Sequence, residues 1–134
     1  MLVTITRSPS KISGTITAPP SKSMAHRAVL CAALAEGRSH ITNLEFSKDI
    51  SATLGAAAQL WARVRTGADD AVVEGLGHFV PLAAPVDCCE SGSTLRFLIP
   101  IASLTGHGEE TVVFLLVETD GVPVHRRIKF GISP

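Results

Sequence analysis

The stretch Ala18-Pro19-Pro20-Ser21-Lys22-Ser23 sets the strongest local limit on how this chain folds. Gly14-Thr15-Ile16-Thr17-Ala18 alternates with the period of a strand, and two successive prolines, which donate no ladder hydrogen bond, end it. Ser21 then stands where a helix N-cap belongs. Met24, Ala28, Val29, Ala32 and Ala33 recur at helical spacing, and Gly37 suits the C′ position. A strand-to-helix corner at Ser21 is therefore expected. A short strand from Ser39 to Leu44 follows, then a helix opened by Asp49 and running through Leu54, Ala58 and Trp61, then strands at Val64 and at Ala71 to Glu74. Gly75-Leu76-Gly77 lacks the third glycine and the following helix of a dinucleotide fingerprint, so it reads as a turn.

Twelve basic and twelve acidic side chains cancel, so no overall field draws the chain to nucleic acid or membrane. Any anionic ligand must be met by a local site. An apolar content of 46% in 134 residues suffices for a core, either as one domain or as a piece of a larger one. The apolar run from Val112 to Val117 is far short of the roughly 20 residues that span a bilayer and reads as a buried strand. Met1 to Ile5 alternates like a strand and lacks a secretory leader, which places the protein in the cytoplasm. Cys31, Cys88 and Cys89 are odd in number, and the five histidines show no ligand spacing. Neither a disulfide framework nor a metal site is expected.

Shifting the sequence by 69 positions places Arg27 on Arg96, Ala33 on Ala102 and Gly37 on Gly106. Ser23-x-x-x-Arg27 then falls on Gly92-x-x-x-Arg96, which suggests an internal repeat of about seventy residues built from strand-helix units. Both motifs sit at helix starts, where unpaired backbone N–H groups and the positive end of the macrodipole favour anions. In the first, Lys22 supplies a mobile charge, Ser23 a hydroxyl and Arg27, four residues on and on the same face, a planar fork. In the second, Gly92 opens the backbone to a ligand, Ser93 and Thr94 can donate, and Arg96 lies one turn in. Glu90 does not suit an anion nest and is expected to pair with a basic side chain or a ligand hydroxyl. His26 does not share the face of Arg27 and is left out of the site.

The segments ITAPPSKSMAHRAVLCAALAEGRSHITNLEFSKD and DCCESGSTLRFLIPIASLTG resemble the N-terminal region of the 5-enolpyruvylshikimate-3-phosphate synthase family, from about Ile12 to Phe114. The PSKS-x-x-x-R motif carries most of that resemblance. It implies an α/β (α+β) fold, an incomplete form of the inside-out barrel of βαβαββ units, with substrates bound between two domains. Residues 1–18 would hold strands that in the family pack with the other domain, 19–114 two βαβαββ-type units of the substrate-binding domain, and 115–134 a divergent tail. The resemblance further implies that Lys22 contacts both shikimate 3-phosphate and phosphoenolpyruvate, that Ser23 and Arg27 hold shikimate 3-phosphate, and that Gly92 brings backbone close to phosphoenolpyruvate; Ser93 and Arg96, read above as donors of the same corner, join the expected substrate-binding residues. The reaction so implied adds the shikimate 5-hydroxyl to phosphoenolpyruvate and eliminates phosphate, with no cofactor.

Complete family members are roughly three times as long, and their acid/base carboxylates lie in the part not matched here. After Phe114 the family continues into an Arg-Pro loop, whereas this chain reads LLVETDGVPVHRRIKFGISP; Arg126 and Arg127 lack the following proline, so the role is not carried to them. The abrupt departure suggests a truncated or frameshifted product. The family usually has glycine where Trp61 and Cys89 stand. Three readings remain open: a partial enzyme completed by a C-terminal fragment, a non-catalytic module that binds an anionic metabolite, and an inactive product that self-associates. The UDP-N-acetylglucosamine enolpyruvyl transferases share the implied fold, and the PSKS motif favours the shikimate enzyme over them.

Overall fold

A computed structural model of the chain describes residues 3–4, 13–80, 82, 85–105, 111–119 and 122–130, the last two stretches by their backbone. The expected strand at Met1 to Ile5, Gly106 of the repeat, and the burial expected from Val112 to Val117 lie outside what is described.

The first helix, α1 (Lys22–Leu34), starts at the corner the prolines define. Ser21 is extended at φ −105° and ψ 109°, and its Oγ accepts from the Met24 amide at 3.4 Å. The helix buries Ala25, His26, Val29, Leu30, Ala32 and Ala33. Met24, counted above among the periodic apolar residues, is 62% exposed. The helix ends earlier than expected, with Ala35 as C-cap, and Gly37 is not its C′ residue. Gly37 instead lies at φ +93° within β1 (Glu36–Ile41), which begins directly after the helix rather than at Ser39.

The second helix, α2 (Lys48–Gln59), is capped by Ser47, whose Oγ accepts from the Ile50 amide, and carries Asp49 in its first turn. It closes in a Schellman arrangement: the Ala62 amide donates to Ala57 and the Trp61 amide to Ala58. Trp61 therefore occupies the C′ position at φ +68°, outside the helix in which it was expected.

Strands β2 (Arg63–Thr66) and β3 (Ala71–Leu76) complete an antiparallel sheet of order β1-β3-β2. The turn expected at Gly75 is not there; Gly75 is a strand residue paired with Gly37, and only beyond it, at Gly77, does φ reach +72°. The reason is packing. A Cβ on Gly75 would lie 2.3 Å from the Ala35 carbonyl oxygen and 2.5 Å from that of Ala33, so the end of α1 rests on bare β3 backbone. Small residues let the layers approach: Ala25, Ala32, Ala33, Ala57, Ala62 and Ala71 share a buried cluster with Val29, Ile50, Leu54 and Val73.

Short strand β4 (Val86–Asp87) runs into α3 (Gly92–Thr105) and pairs in parallel with β5 (Thr111–Thr119), so these three form a βαβ crossover. Strand β6 (Val122–Phe130) returns antiparallel to β5. A second cluster, Leu30, Ala56, Leu60, Val86, Leu98 and Ala102, fixes α3 against α1 and α2. Among the described residues the fold is mixed helix and sheet, with two open three-stranded sheets.

The strand expected over Gly14 to Ala18 does not form; those residues have no regular secondary structure and are exposed, with Ile16 91% accessible. A strand needs an edge to pair with, and none of the described strands pairs with this segment.

Candidate functional site

Three helix starts meet at one place. Lys22, the first residue of α1, reaches Asp49 in the first turn of α2, with Nζ 3.0 Å from Oδ2. Thr94, in the first turn of α3, has its hydroxyl oxygen 3.4 Å from the Asp49 carbonyl. Lys48 of α2 pairs with Glu90 just before α3, at 3.0 Å. Glu90 thus takes the basic-side-chain partner foreseen as one of its two options.

Of the residues singled out in the first motif, Lys22, Ser23 and Arg27 are all exposed on α1. The Arg27 guanidinium donates to the Ser23 carbonyl at 3.3 Å and lies over the Phe97 ring, 5.6 Å from its centroid. That stacking carries Arg27 from α1 across to α3. In the second motif Gly92 and Ser93 begin α3 exposed, and Arg96 is exposed further along it. A Cβ placed on Gly92 would meet nothing within 4 Å, so the backbone there faces open space. The helix starts are nevertheless not aligned as the 69-residue shift supposed. Ser91 acts as the cap of α3, its Oγ accepting from the Thr94 amide at 3.2 Å. Ser21 and Ser91 are thus the equivalent caps. Arg27 lies six residues beyond its cap and Arg96 five, so the two arginines differ in helical phase by one residue, about 100°.

Of the side chains that tie the corners together, only Thr94 was singled out from the sequence as a donor. His26, Thr53, Ser91 and Thr94 are 2%, 0%, 1% and 0% exposed. His26 Nδ1 lies 2.6 Å from Thr53 Oγ1, which lies 2.7 Å from Thr94 Oγ1, which donates to Ser91 Oγ at 2.8 Å. A signal for them existed: on α1 His26 falls one turn before Val29 and Leu30, a polar residue on the apolar face.

Electrostatics follow this geometry. Asp49 is held below the usual carboxylate range by its hydrogen bond from Lys22 and, second, by that from Ser91. Burial pushes the His26 imidazole down, with Lys22 adding to the effect and Asp49 opposing it. Burial pushes the Cys88 thiol up to about 12, with help from Asp87 and Cys89, and raises Cys89 as well. These thiols are therefore not poised as nucleophiles. Cys89 stands at φ +48° in the turn before α3, its amide donating to Asp87 Oδ1 at 2.8 Å. Among the described residues no group of three His, Cys, Asp or Glu side chains is arranged to hold a metal ion. Arg126 and Arg127 lie on β6, opposite Leu115 and Phe114 of β5.

Hollows lined by described residues flank this junction. One of about 90 Å³ is lined by Pro20, Ser21, Lys22, Ala25, Glu45 and Ser47 between the α1 and α2 starts. A larger groove of about 560 Å³ runs along α2 past Phe46, Ala52 and Gly55 to Cys89 and Glu90. Helix starts carrying exposed lysine, serine and arginine can hold an anion, and two such starts at one junction can hold two anionic groups near each other.

Known proteins resemble this chain in sequence and in fold. The family model of EPSP synthase (3-phosphoshikimate 1-carboxyvinyltransferase) matches residues 6–115. The 3-phosphoshikimate 1-carboxyvinyltransferase of Clostridium beijerinckii is 48% identical over 103 residues, which cover 72% of this chain and 24% of that protein. That of Clostridioides difficile is 47% identical over 104 residues, covering 70% and 24%. The solved EPSP synthase of Acinetobacter baumannii superposes with a TM-score of 0.64 at 26% identity, over 76% of this chain and 23% of that one. The chain thus spans about a quarter of the length of the relatives it matches. With the family model matched over most of its length and the same fold in a solved member, the chain belongs to the EPSP synthase family.

Proposed function

We propose that this chain carries part of the site for transfer of the enolpyruvyl group from phosphoenolpyruvate to the 5-hydroxyl of shikimate 3-phosphate, with release of phosphate. In this reading Lys22, Ser23 and Arg27 hold the phosphate of shikimate 3-phosphate, and Lys22 also faces phosphoenolpyruvate. Gly92, Ser93 and Arg96 form the second substrate corner. The observation that carries the reading is the meeting of the α1 and α3 starts at Asp49, whose carboxylate pairs with Lys22 and whose carbonyl lies 3.4 Å from the Thr94 hydroxyl oxygen. Two polyanions repel each other, and a pair of adjacent positive helix ends lowers the cost of holding them together.

The order α1-β1-α2-β2-β3, followed by the β4-α3-β5 crossover, supports reading residues 19–114 as two βαβαββ-type units, with 1–18 paired elsewhere and 115–134 divergent. No described helix is long and apolar enough to cross a membrane, and a cytoplasmic enzyme is the reading we adopt. Phosphate release from shikimate 3-phosphate and phosphoenolpyruvate tests the proposal. The 134-residue chain alone is expected to release none, and turnover is expected on mixing with a C-terminal complement from a family member. Rapid release by the isolated chain would contradict a partial site.

A second reading, self-association, is favoured by Ile16 at 91% and Leu104 at 64% exposure. A monomeric sedimentation profile at high concentration would exclude it.

A further inference from the structure

We propose that Thr53 and Thr94 are positioning residues, whose hydroxyls form a one-way hydrogen-bond chain from His26 through Ser91 to Asp49 and so fix the Lys22 ammonium against the start of α3. The inference rests on the reading of Lys22 as a substrate ligand and adds to it how that ligand is held.

The direction follows from counting protons. The Asp49 carboxylate, ionised, can only accept, and it takes the Lys22 ammonium at 3.0 Å. Thr94 Oγ1 donates to Ser91 Oγ at 2.8 Å, which leaves the Ser91 proton for the Asp49 carboxylate, whose ionised form Ser91 favours. Thr94 Oγ1 in turn accepts from Thr53 at 2.7 Å. The Thr53 proton is then spent, and His26 Nδ1, 2.6 Å away, must carry the hydrogen it donates. His26 is therefore the Nδ1–H tautomer, and its Nε2 is a bare lone pair. That agrees with Nε2 being the buried side-chain atom without a hydrogen-bond partner among those described. The opposite direction would bury an unpaired N–H at the same place. The Asp49 carbonyl, 3.1 Å from Thr53 Oγ1 and 3.4 Å from Thr94 Oγ1, is a longer and weaker competitor for the same two protons.

The consequence is mechanical. His26 belongs to α1, Thr53 to α2, and Ser91 and Thr94 to α3 or its cap. Aligned hydroxyls polarise one another in a buried setting, so the chain prefers one arrangement of the three helix starts to a range of them. Its final acceptor is the carboxylate that places Lys22. A change in the α3 cap is thereby felt at the α1 corner.

The 134-residue chain itself serves for the test, with Thr94→Val, which keeps shape and removes the hydroxyl, and Thr94→Ser, which restores it. Nitrogen chemical shifts of the His26 ring need no ligand and are expected to show a protonated Nδ1 and a bare Nε2; an Nε2–H tautomer overturns the proposal. Calorimetric titration with shikimate 3-phosphate is expected to show affinity weakened about tenfold in Thr94→Val and kept within about twofold in Thr94→Ser. Equal affinity in Thr94→Val and the unaltered chain overturns the positioning role. A chain that binds no shikimate 3-phosphate yet shows the Nδ1–H tautomer removes the functional reading while supporting the hydrogen-bond chain.

Discussion

Cys89 stands in the left-handed region at φ +48°, in the turn that aims α3 at the junction. A side chain there costs about 1–2 kcal/mol, because Cβ crowds the following carbonyl. Cys89→Gly releases that cost and adds about 0.5–1 kcal/mol of backbone entropy in the unfolded chain. The Cys89 side chain is exposed, so little burial is lost. The net expectation is a gain of about 0.5–1 kcal/mol, or a melting temperature higher by about 2–4 °C in a domain of this size. Thermal unfolding followed by circular dichroism measures it. Cys89→Ala is the control, because it removes the thiol and keeps Cβ; its melting temperature should stay at that of the unaltered chain. A Cys89→Gly variant that melts at or below the unaltered chain would refute the strain argument. Trp61, at φ +68°, has the same backbone strain, but its partly buried indole packs against the cluster around Leu60 and Leu98. Trp61→Gly gives up about as much packing and entropy as it relieves, and should change stability by less than about 1 kcal/mol.

Two further outcomes follow from particular contacts. Gly75→Ala should lower stability by about 1–3 kcal/mol, because its Cβ meets three backbone carbonyls of α1 that cannot rotate away, whereas Gly55→Ala, with open space at its Cβ and a helical backbone, should raise it by about 0.5–1 kcal/mol. Paired thermal melts check both. Burial holds the His26 imidazole below 6.5 in the folded state, so the unfolded chain takes up that proton first. This contribution is complete above pH 6.5 and is lost as pH falls through the folded-state value. Urea unfolding between pH 7 and 5 should therefore show a shallower loss of stability in His26→Gln than in the unaltered chain.

Local chemistry made parts of this structure legible. The Ser21 cap after two prolines, the helix opening within a residue of Asp49 and the strand from Ala71 each follow from signals inside a few residues. Trp61 and Cys89, where the resemblance leads one to expect glycine, both prove to have positive φ, which is a backbone demand that a sequence pattern can transmit. What could not be read depends on neighbours distant in sequence. Gly75 looked like a turn residue because nothing local shows that the end of α1 lies on it. The segment Gly14 to Ala18 has strand alternation but no strand among those described to pair with. His26 was set aside by reasoning about which face holds ligands, although its partners Thr53 and Thr94 lie 27 and 68 residues on. A buried polar chain becomes visible only when three helices are brought together.

The central claim is that the α1 start is an anion site for a sugar phosphate. A titration of the isotope-labelled chain with shikimate 3-phosphate, read at each backbone amide, addresses it directly. The largest shifts are expected at Lys22, Ser23 and Arg27, smaller ones at Gly92 and Ser93, and loss of the first group's shifts in Arg27→Ala. Shifts confined to the groove beside Phe46 and Gly55, or unchanged in Arg27→Ala, would contradict it.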